Sequence, residues 1–316
     1  MCFSSSNLLI SFLEKITDKE LRTFIKAFSS SNEAITAELE KYPEIDDTYG
    51  YRFNPVRFWP LVEFNNYLYC PMTYFLLERL TYGLIYDFHK EENVTKKAGV
   101  SFQNYVYNFS KKFASENLHI TPEYKYKKGK HNPDSIDLMI DDNTSHLFVE
   151  VKHRNFIDKE LSENDEGYKS LVDKLLEPLI QSYRTLNDYK NGLYNNLKYS
   201  KDISKYLFIV GLSDLYVLTD KPNQLLKEKL VEELTKKNID PEIINEIPFF
   251  YCNIEVWEYL IQIISQSNIK QCIQDHTNKD SYPVIHLYNG SKYKFLKLED
   301  IFTDGKSFLD LLLEKL

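Results

Sequence analysis

The feature that most constrains this chain is a predicted β-hairpin over residues 133–152. Its first strand has the sequence PDSIDLMI and its second LFVEVK, with a short polar turn between them. Asp, Asn and Ser favour such turns because their side chains hydrogen-bond to the nearby backbone. Alternation places Glu150 and Lys152 on one face of the second strand. Folding about the turn brings Asp137 opposite Val149 or Glu150.

Two carboxylates and a lysine at one strand end predict a metal-dependent hydrolytic site. Mg²⁺ prefers oxygen ligands and keeps several waters, so one or two carboxylates are enough to hold it. The metal lowers the pKa of a bound water and screens charge that develops on a phosphate. A neighbouring lysine stabilises that charge. The alternative is a solvated salt bridge between Glu150 and Lys152, which is common for pairs on a strand.

This arrangement resembles the PD-(D/E)xK, or restriction-endonuclease-like, nuclease superfamily. By position, the resemblance implies that Asp137 and Glu150 bind Mg²⁺ or Mn²⁺ and that Lys152 is the catalytic lysine. Pro133 and Asp134 spell the letters PD, so Asp134 is the rival for the first acid. We prefer Asp137 because its pairing with Glu150 requires no adjustment of the hairpin.

The order of the predicted elements also resembles the core of this superfamily. Helical spacing of apolar residues predicts helices over 99–114, 168–189 and 224–237. Alternation or apolar runs predict strands over 120–128, 206–217 and 249–254. With the hairpin, these elements predict an α/β (α+β) fold with a restriction-endonuclease-like core, in which helices flank a central mixed β-sheet.

The predicted domain organisation has three parts. Residues 1–95 form a mainly helical region with a small hairpin that turns at Asn65 and Asn66. Residues 96–260 form the nuclease-like core, and residues 261–316 form a C-terminal extension packed on it. In that extension we expect a hairpin over 282–297 and a closing helix over 304–316.

Two glutamines are candidate active-site residues by the same resemblance. Relatives often carry a glutamate on the first core helix in a Gly-x-x-Phe-Glu pattern, and here Gln103 occupies that position. A neutral amide can bind a metal-bound water but adds no charge. A second metal site would lack the charge of that glutamate, whereas a one-metal mechanism does not need it. The alternative for Gln103 is an exposed helical residue. Gln181 resembles a glutamine that some relatives direct at the site, although Thr185 replaces the tyrosine of their Gln-x-x-x-Tyr pattern.

A basic segment leads directly into the hairpin and predicts contact with a phosphate backbone. Interleaved tyrosines could stack on bases, whereas the alternative role for the lysines is to protect a sheet edge from aggregation. The formal net charge of −8 argues against a surface that is basic throughout. The candidate nucleic-acid contacts are Lys125, Lys127, Lys128 and Lys130, with His153 and Arg154 after the second strand.

Together these features predict a metal-dependent endonuclease that acts on DNA, in a bacterial restriction or phage-defence setting. The alternative is a catalytically inactive nuclease-like module that binds nucleic acid or a protein partner, and a homodimer is also open. The chain has no Gly-x-Ser-x-Gly motif and no phosphate-binding loop. Four scattered cysteines, no secretory signal and no membrane-spanning run predict a cytoplasmic protein.

Overall fold

The computed structural model describes residues 17–40, 54–79, 92–153, 165–212, 220–276 and 293–296. The chain forms two compact units, Met1–Phe88 and His89–Leu316. The domain boundaries that we predicted at residues 95 and 260 remain predictions. The predicted C-terminal hairpin lies almost wholly outside the described residues, and the closing helix lies entirely outside them.

The first unit contains a three-stranded sheet with short helices. Its predicted hairpin is present, and Asn65 and Asn66 both have positive φ angles, 49° and 62°. This backbone conformation is that of a two-residue turn whose twist matches the twist of paired strands. The elements are α1 (Asp18–Phe28), β1 (Ser29–Ser31), α2 (Asn32–Leu39), β2 (Leu61–Phe64), β3 (Tyr67–Tyr69) and α3 (Thr73–Glu78).

The second unit is built on a five-stranded mixed sheet in the order β4-β5-β6-β7-β8. β4, β5 and β6 pair antiparallel, whereas β6, β7 and β8 run parallel. The strands are β4 (His119–Pro122), β5 (Leu138–Asp141), β6 (Ser145–Lys152), β7 (Ser204–Gly211) and β8 (Phe249–Asn253). The helices are α4 (Glu92–Lys111), α5 (Asp165–Lys190), α6 (Asp220–Lys236), α7 (Ile243–Glu246), α8 (Ile254–Gln266) and α9 (Ile269–His276).

Helices cover both faces of this sheet, because the central strands β6 and β7 have buried side chains on both faces. On one face, Phe148 and Ile209 pack with apolar residues of α5 and α6 such as Leu179 and Leu226. On the other face, Phe208 contacts Trp257 of α8, with ring centroids 6.1 Å apart. The predicted mixed sheet flanked by helices is therefore confirmed. None of the helices within the described ranges has the length and apolarity needed to cross a bilayer.

The predicted strand over 120–128 is regular only as far as Pro122. Beyond it, residues 123–137 form an irregular hairpin, here called the basic arm, joined by isolated bridges such as Lys125 with Asp134. Pro133 has no N–H to donate to a ladder, and Gly129 turns the chain with φ +61°. The basic arm therefore begins directly after β4 and ends directly before β5.

Candidate metal-dependent catalytic site

Asp137 lies where β5 and β6 separate. The ladder between these strands ends at the pair Leu138 and Val149, so the register places Asp137 opposite Glu150. The Asp137 Oδ2 accepts a hydrogen bond of 2.7 Å from the Val151 N–H. This carboxylate thus satisfies a backbone donor that β5 no longer reaches, and the bond fixes its position at the strand end.

Glu150 and Lys152 lie on the same face of β6, next to Asp137. Only 4% of Glu150 is exposed, and its Oε1 lies 2.5 Å from the Lys152 Nζ. The lysine itself is about three-quarters buried, with 24% of its side chain exposed. This pair is therefore not the solvated salt bridge of the alternative prediction, and a second, partly buried acid, Asp137, lies opposite Glu150.

The electrostatics of this cluster favour a bound cation. Burial and the neighbouring Glu150 raise the pKa of Asp137. Burial likewise raises the pKa of Glu150, while Lys152 opposes that rise. Both shifts oppose two charged carboxylates side by side in the metal-free protein, and a divalent ion bound by them would favour the charged forms.

Gln103 joins the cluster from α4, on the other side of Asp137. Its Nε2 donates a hydrogen bond of 2.9 Å to the Asp137 Oδ1 and a longer one of 3.3 Å to Glu123. The structure thus brings Gln103 to the first acid of the site rather than leaving it as a free helical residue. Glu123 begins the basic arm, and its backbone N–H donates to the Asp137 carbonyl.

We expect Gln103→Glu to tighten Mn²⁺ binding and to destabilise the metal-free protein. The new carboxylate would repel Asp137 without metal and attract a cation when one is bound. We expect an increase in affinity of about tenfold, since opposite charges near a protein surface interact by on the order of 4 kcal/mol before further screening. Calorimetry and thermal unfolding with and without Mn²⁺ measure both effects. Asn104→Asp, an exposed change on the same helix, is the matched control, and equal effects of the two changes would contradict the expectation.

Asp134, the rival for the first acid, lies apart from this cluster on the basic arm. Its Oδ1 forms an ion pair of 2.7 Å with the Lys125 Nζ, and about half of its side chain is exposed. An exposed acid with its own lysine partner lacks the burial that raises the pKa of Asp137. The geometry therefore favours Asp137 as the first metal ligand.

On α5, Ser182 contacts the site in place of the predicted Gln181. Gln181 is exposed. Ser182 is fully buried and lies against Glu150, while its hydroxyl donates a hydrogen bond of 2.9 Å to the Pro178 carbonyl. Sequence reasoning missed Ser182 and Glu123. The helical period of α5 could have identified Ser182, because it places this residue beside the buried Leu179 and Tyr183.

The lysines of the basic arm divide into two groups. Lys128 forms an ion pair of 2.7 Å with Asp188, a buried acid that also accepts a hydrogen bond from Tyr126. Lys125 pairs with Asp134, as described above. Lys127 and Lys130 are exposed near the turn of the arm. Lys127 and Lys130 are therefore the better candidates for phosphate contacts, because Lys125 and Lys128 already form local ion pairs.

His153 does not supply the positive charge that its position after Lys152 suggested. Its ring packs on Phe102, with centroids 6.2 Å apart, and burial lowers its pKa, so the neutral form is favoured. Its Nε2 has no hydrogen-bond partner within the described part of the chain. Arg154 lies outside the described residues.

The donor set fits a hard divalent ion such as Mg²⁺ or Mn²⁺. Within the described ranges, no group of three or more His, Cys, Asp or Glu side chains is arranged to hold a metal. Mg²⁺ does not require such a cage, because it binds through one or two carboxylates together with waters and substrate phosphates. Asp137 and Glu150 are the two carboxylates of this cluster that could hold it.

Comparisons with known proteins give one weak structural likeness. No protein-family model matches the chain, and no curated protein matches it. A solved structure, the small subunit of the heterodimeric restriction endonuclease R.BspD6I, is 11% identical over 58% of this chain and 98% of that chain, with a TM-score of 0.22. A likeness this weak carries no argument about function, which therefore depends on the geometry of Asp137, Glu150 and Lys152.

Proposed function

We propose that this chain is a metal-dependent nuclease that hydrolyses phosphodiester bonds, with DNA as its substrate. One observation carries the proposal: a partly buried Asp137 lies opposite the buried Glu150, and the Lys152 amine lies 2.5 Å from Glu150. A purely structural salt bridge between Glu150 and Lys152 would not require the second acid, whose charged form is disfavoured without a cation.

Each side chain has a role in this proposal. Asp137 and Glu150 would hold Mg²⁺ or Mn²⁺, which when bound supplies Lewis acidity to the phosphate. The Lys152 ammonium stabilises negative charge on the phosphoryl oxygens as the transition state forms. Gln103 and the Val151 N–H keep the Asp137 carboxylate in place, and Lys152 is the main group that favours a charged Glu150.

The basic arm supports nucleic acid as the substrate. It ends at Asp137, so a phosphate backbone held by Lys127 and Lys130 would approach the site along the chain that carries the first acid. Tyr124 and Tyr126 of the arm pack against Tyr194 rather than standing free, with ring centroids 5.8 and 5.0 Å away. We therefore assign the binding to the exposed lysines and not to stacking on these tyrosines.

A cleavage assay on several substrates tests the proposal. Supercoiled plasmid, single-stranded DNA and RNA are each incubated with the purified chain in Mg²⁺, in Mn²⁺ and in chelator. We expect metal-dependent cleavage of DNA and none in chelator. Cleavage of RNA but not DNA would support phosphodiester hydrolysis and contradict DNA as the substrate. Cleavage that persists in chelator would contradict the metal requirement.

We expect Lys127→Ala combined with Lys130→Ala to weaken DNA binding equally for all sequences. The salt slope of binding should fall by about two, because each phosphate contact contributes nearly one unit. Any cleavage-site preference should survive, since phosphate contacts carry no sequence information. Affinity measured at several salt concentrations checks this.

A matched control for the charge change is Lys227→Ala with Lys237→Ala, two exposed lysines at α6. Lys128 is a poor choice for this test, because its removal would leave the buried Asp188 without its cation. An unchanged salt slope in the Lys127 and Lys130 variant would assign these lysines to protection of the sheet edge.

The second candidate is an inactive nuclease-like module that binds nucleic acid or a protein partner. Two observations favour it: a neutral Gln103 stands beside Asp137, where a third carboxylate would add charge, and the chain carries a net charge of −8. Nucleic-acid binding without cleavage in either metal would select this candidate over the nuclease.

A further inference from the structure

The carboxyl ends of the three parallel strands form a row beside the proposed site. Lys152, the last residue of β6, pairs in register with Gly211, the last residue of β7, and Gly211 pairs with Asn253 of β8. Ligand sites of α/β proteins commonly lie beyond such strand ends. Because Gly211 has no side chain, the position beside Lys152 in this row is open to another group.

The group that fills this position is the hydroxyl of Tyr251. A Cβ added to Gly211 would lie 1.9 Å from the Tyr251 Oη and 2.8 Å from its Cζ. Real Cβ atoms do not approach other atoms so closely, so the phenol occupies the space that any other residue at 211 would fill. Glycine at this position therefore allows Tyr251 to extend from β8 across β7.

The sheet geometry directs this hydroxyl toward Lys152. Residues paired in register on neighbouring strands point to the same face, and the strands lie about 4.8 Å apart. Lys152 and the missing side chain of Gly211 thus share the face that also carries Glu150. The Tyr251 Oη lies on the β7 side of Lys152, while Asp137 lies on the β5 side.

The chemistry of the surroundings singles out the hydroxyl. Only 3% of Tyr251 is exposed, and its ring packs in an apolar cluster with Ile209 and Leu226. Phenylalanine would fill this cluster equally well, whereas a buried hydroxyl costs free energy that its hydrogen bonds must offset. Packing alone therefore does not explain why a hydroxyl group lies beside the strand ends that carry Lys152 and Gly211.

We propose that Tyr251 is a positioning residue for Lys152, with Gly211 as the gap that admits it. In the present structure the Lys152 ammonium contacts Glu150 at 2.5 Å. When Glu150 binds a cation, the ammonium needs another acceptor, and the Tyr251 oxygen lies over Gly211, the residue that pairs with Lys152. This inference rests on the proposed function, because it assumes that Glu150 is a metal ligand.

A double-mutant cycle on Mn²⁺ affinity tests the inference without relying on cleavage. We expect Tyr251→Phe to weaken Mn²⁺ binding about tenfold, or ~1.4 kcal/mol, because Lys152 then competes for Glu150 without an alternative acceptor. In the Lys152→Ala background, the same change should have no effect. A purely structural Tyr251 would act equally in both backgrounds, and that result, or no effect in either, would overturn the inference.

Two further variants complete the test. Tyr183→Phe removes another buried hydroxyl, which bonds to the Ile247 carbonyl, and should lower stability without changing Mn²⁺ affinity. Gly211→Ala should displace the Tyr251 hydroxyl and reproduce the loss of affinity, even if Tyr251→Phe folds poorly; unchanged affinity in this variant would contradict the inference. A parent that binds no Mn²⁺ overturns the proposed function and this inference together, whereas a parent that binds Mn²⁺ without coupling overturns the inference alone.

Discussion

Lys152→Ala should reduce DNA cleavage by at least about 10²–10³-fold, the cost typical of removing one group that stabilises transition-state charge. DNA affinity should change little, because the ammonium is paired with Glu150 and only about a quarter of its side chain is exposed. Single-turnover cleavage and a separate binding measurement in Ca²⁺ distinguish the two effects.

Lys229→Ala is the control for this loss of charge. Lys229 also forms an ion pair, at 2.6 Å with Asp173, but that pair lies at the surface between α5 and α6. Its removal should leave cleavage unchanged. A Lys152→Ala variant that cleaves as fast as the parent in Mg²⁺ would show that Lys152 is not catalytic.

Asp137→Asn should stabilise the metal-free protein while removing most of its Mn²⁺ binding. The pKa of Asp137 is raised from 3.8 to about 8, chiefly by burial and by Glu150. A raised folded-state pKa means that the stability contributed by the protonated form is present below pH 4 and is lost as the pH rises through 8. Asparagine does not titrate, so the free energy of unfolding of Asp137→Asn should exceed that of the parent by a few kcal/mol at pH 9.

Thermal or denaturant unfolding between pH 5 and pH 9, without metal, measures this difference. Asp134→Asn is the matched control, because it changes an exposed acid of the same hairpin. It should give no comparable pH-dependent gain and should retain Mn²⁺ binding. If Asp134→Asn removed metal binding and Asp137→Asn retained it, Asp134 would replace Asp137 as the first ligand.

The sequence predicted the parts of this structure that depend on local periodicity. Alternation in β5 and β6 placed Asp137, Glu150 and Lys152 correctly relative to one another, because a strand repeats every two residues and the turn fixes the register. The helices α4 and α5 were predicted because their apolar residues recur every three or four positions, the repeat of a helix. The bounds differed by several residues, since strand and helix ends depend on caps and on neighbouring segments.

Contacts between residues far apart in sequence could not be predicted in this way. Lys128 pairs with Asp188 across 60 positions, and nothing local distinguishes it from Lys127. Tyr251 reaches Gly211 only because β7 and β8 are neighbours in the sheet, which is a property of the topology. The irregular basic arm has a local cause in Pro133 and Gly129, but the alternation of its lysines and tyrosines indicated a regular strand.

Nicking of supercoiled plasmid is the most direct measurement of whether Asp137, Glu150 and Lys152 form a metal-dependent catalytic centre. Parent protein and Glu150→Gln are compared at equal concentration in Mg²⁺ and in chelator. We expect the parent to nick the plasmid in Mg²⁺ and not in chelator, and Glu150→Gln to nick it at least about 10²-fold more slowly in Mg²⁺. Equal nicking by both proteins, or none by the parent in either Mg²⁺ or Mn²⁺, would contradict it.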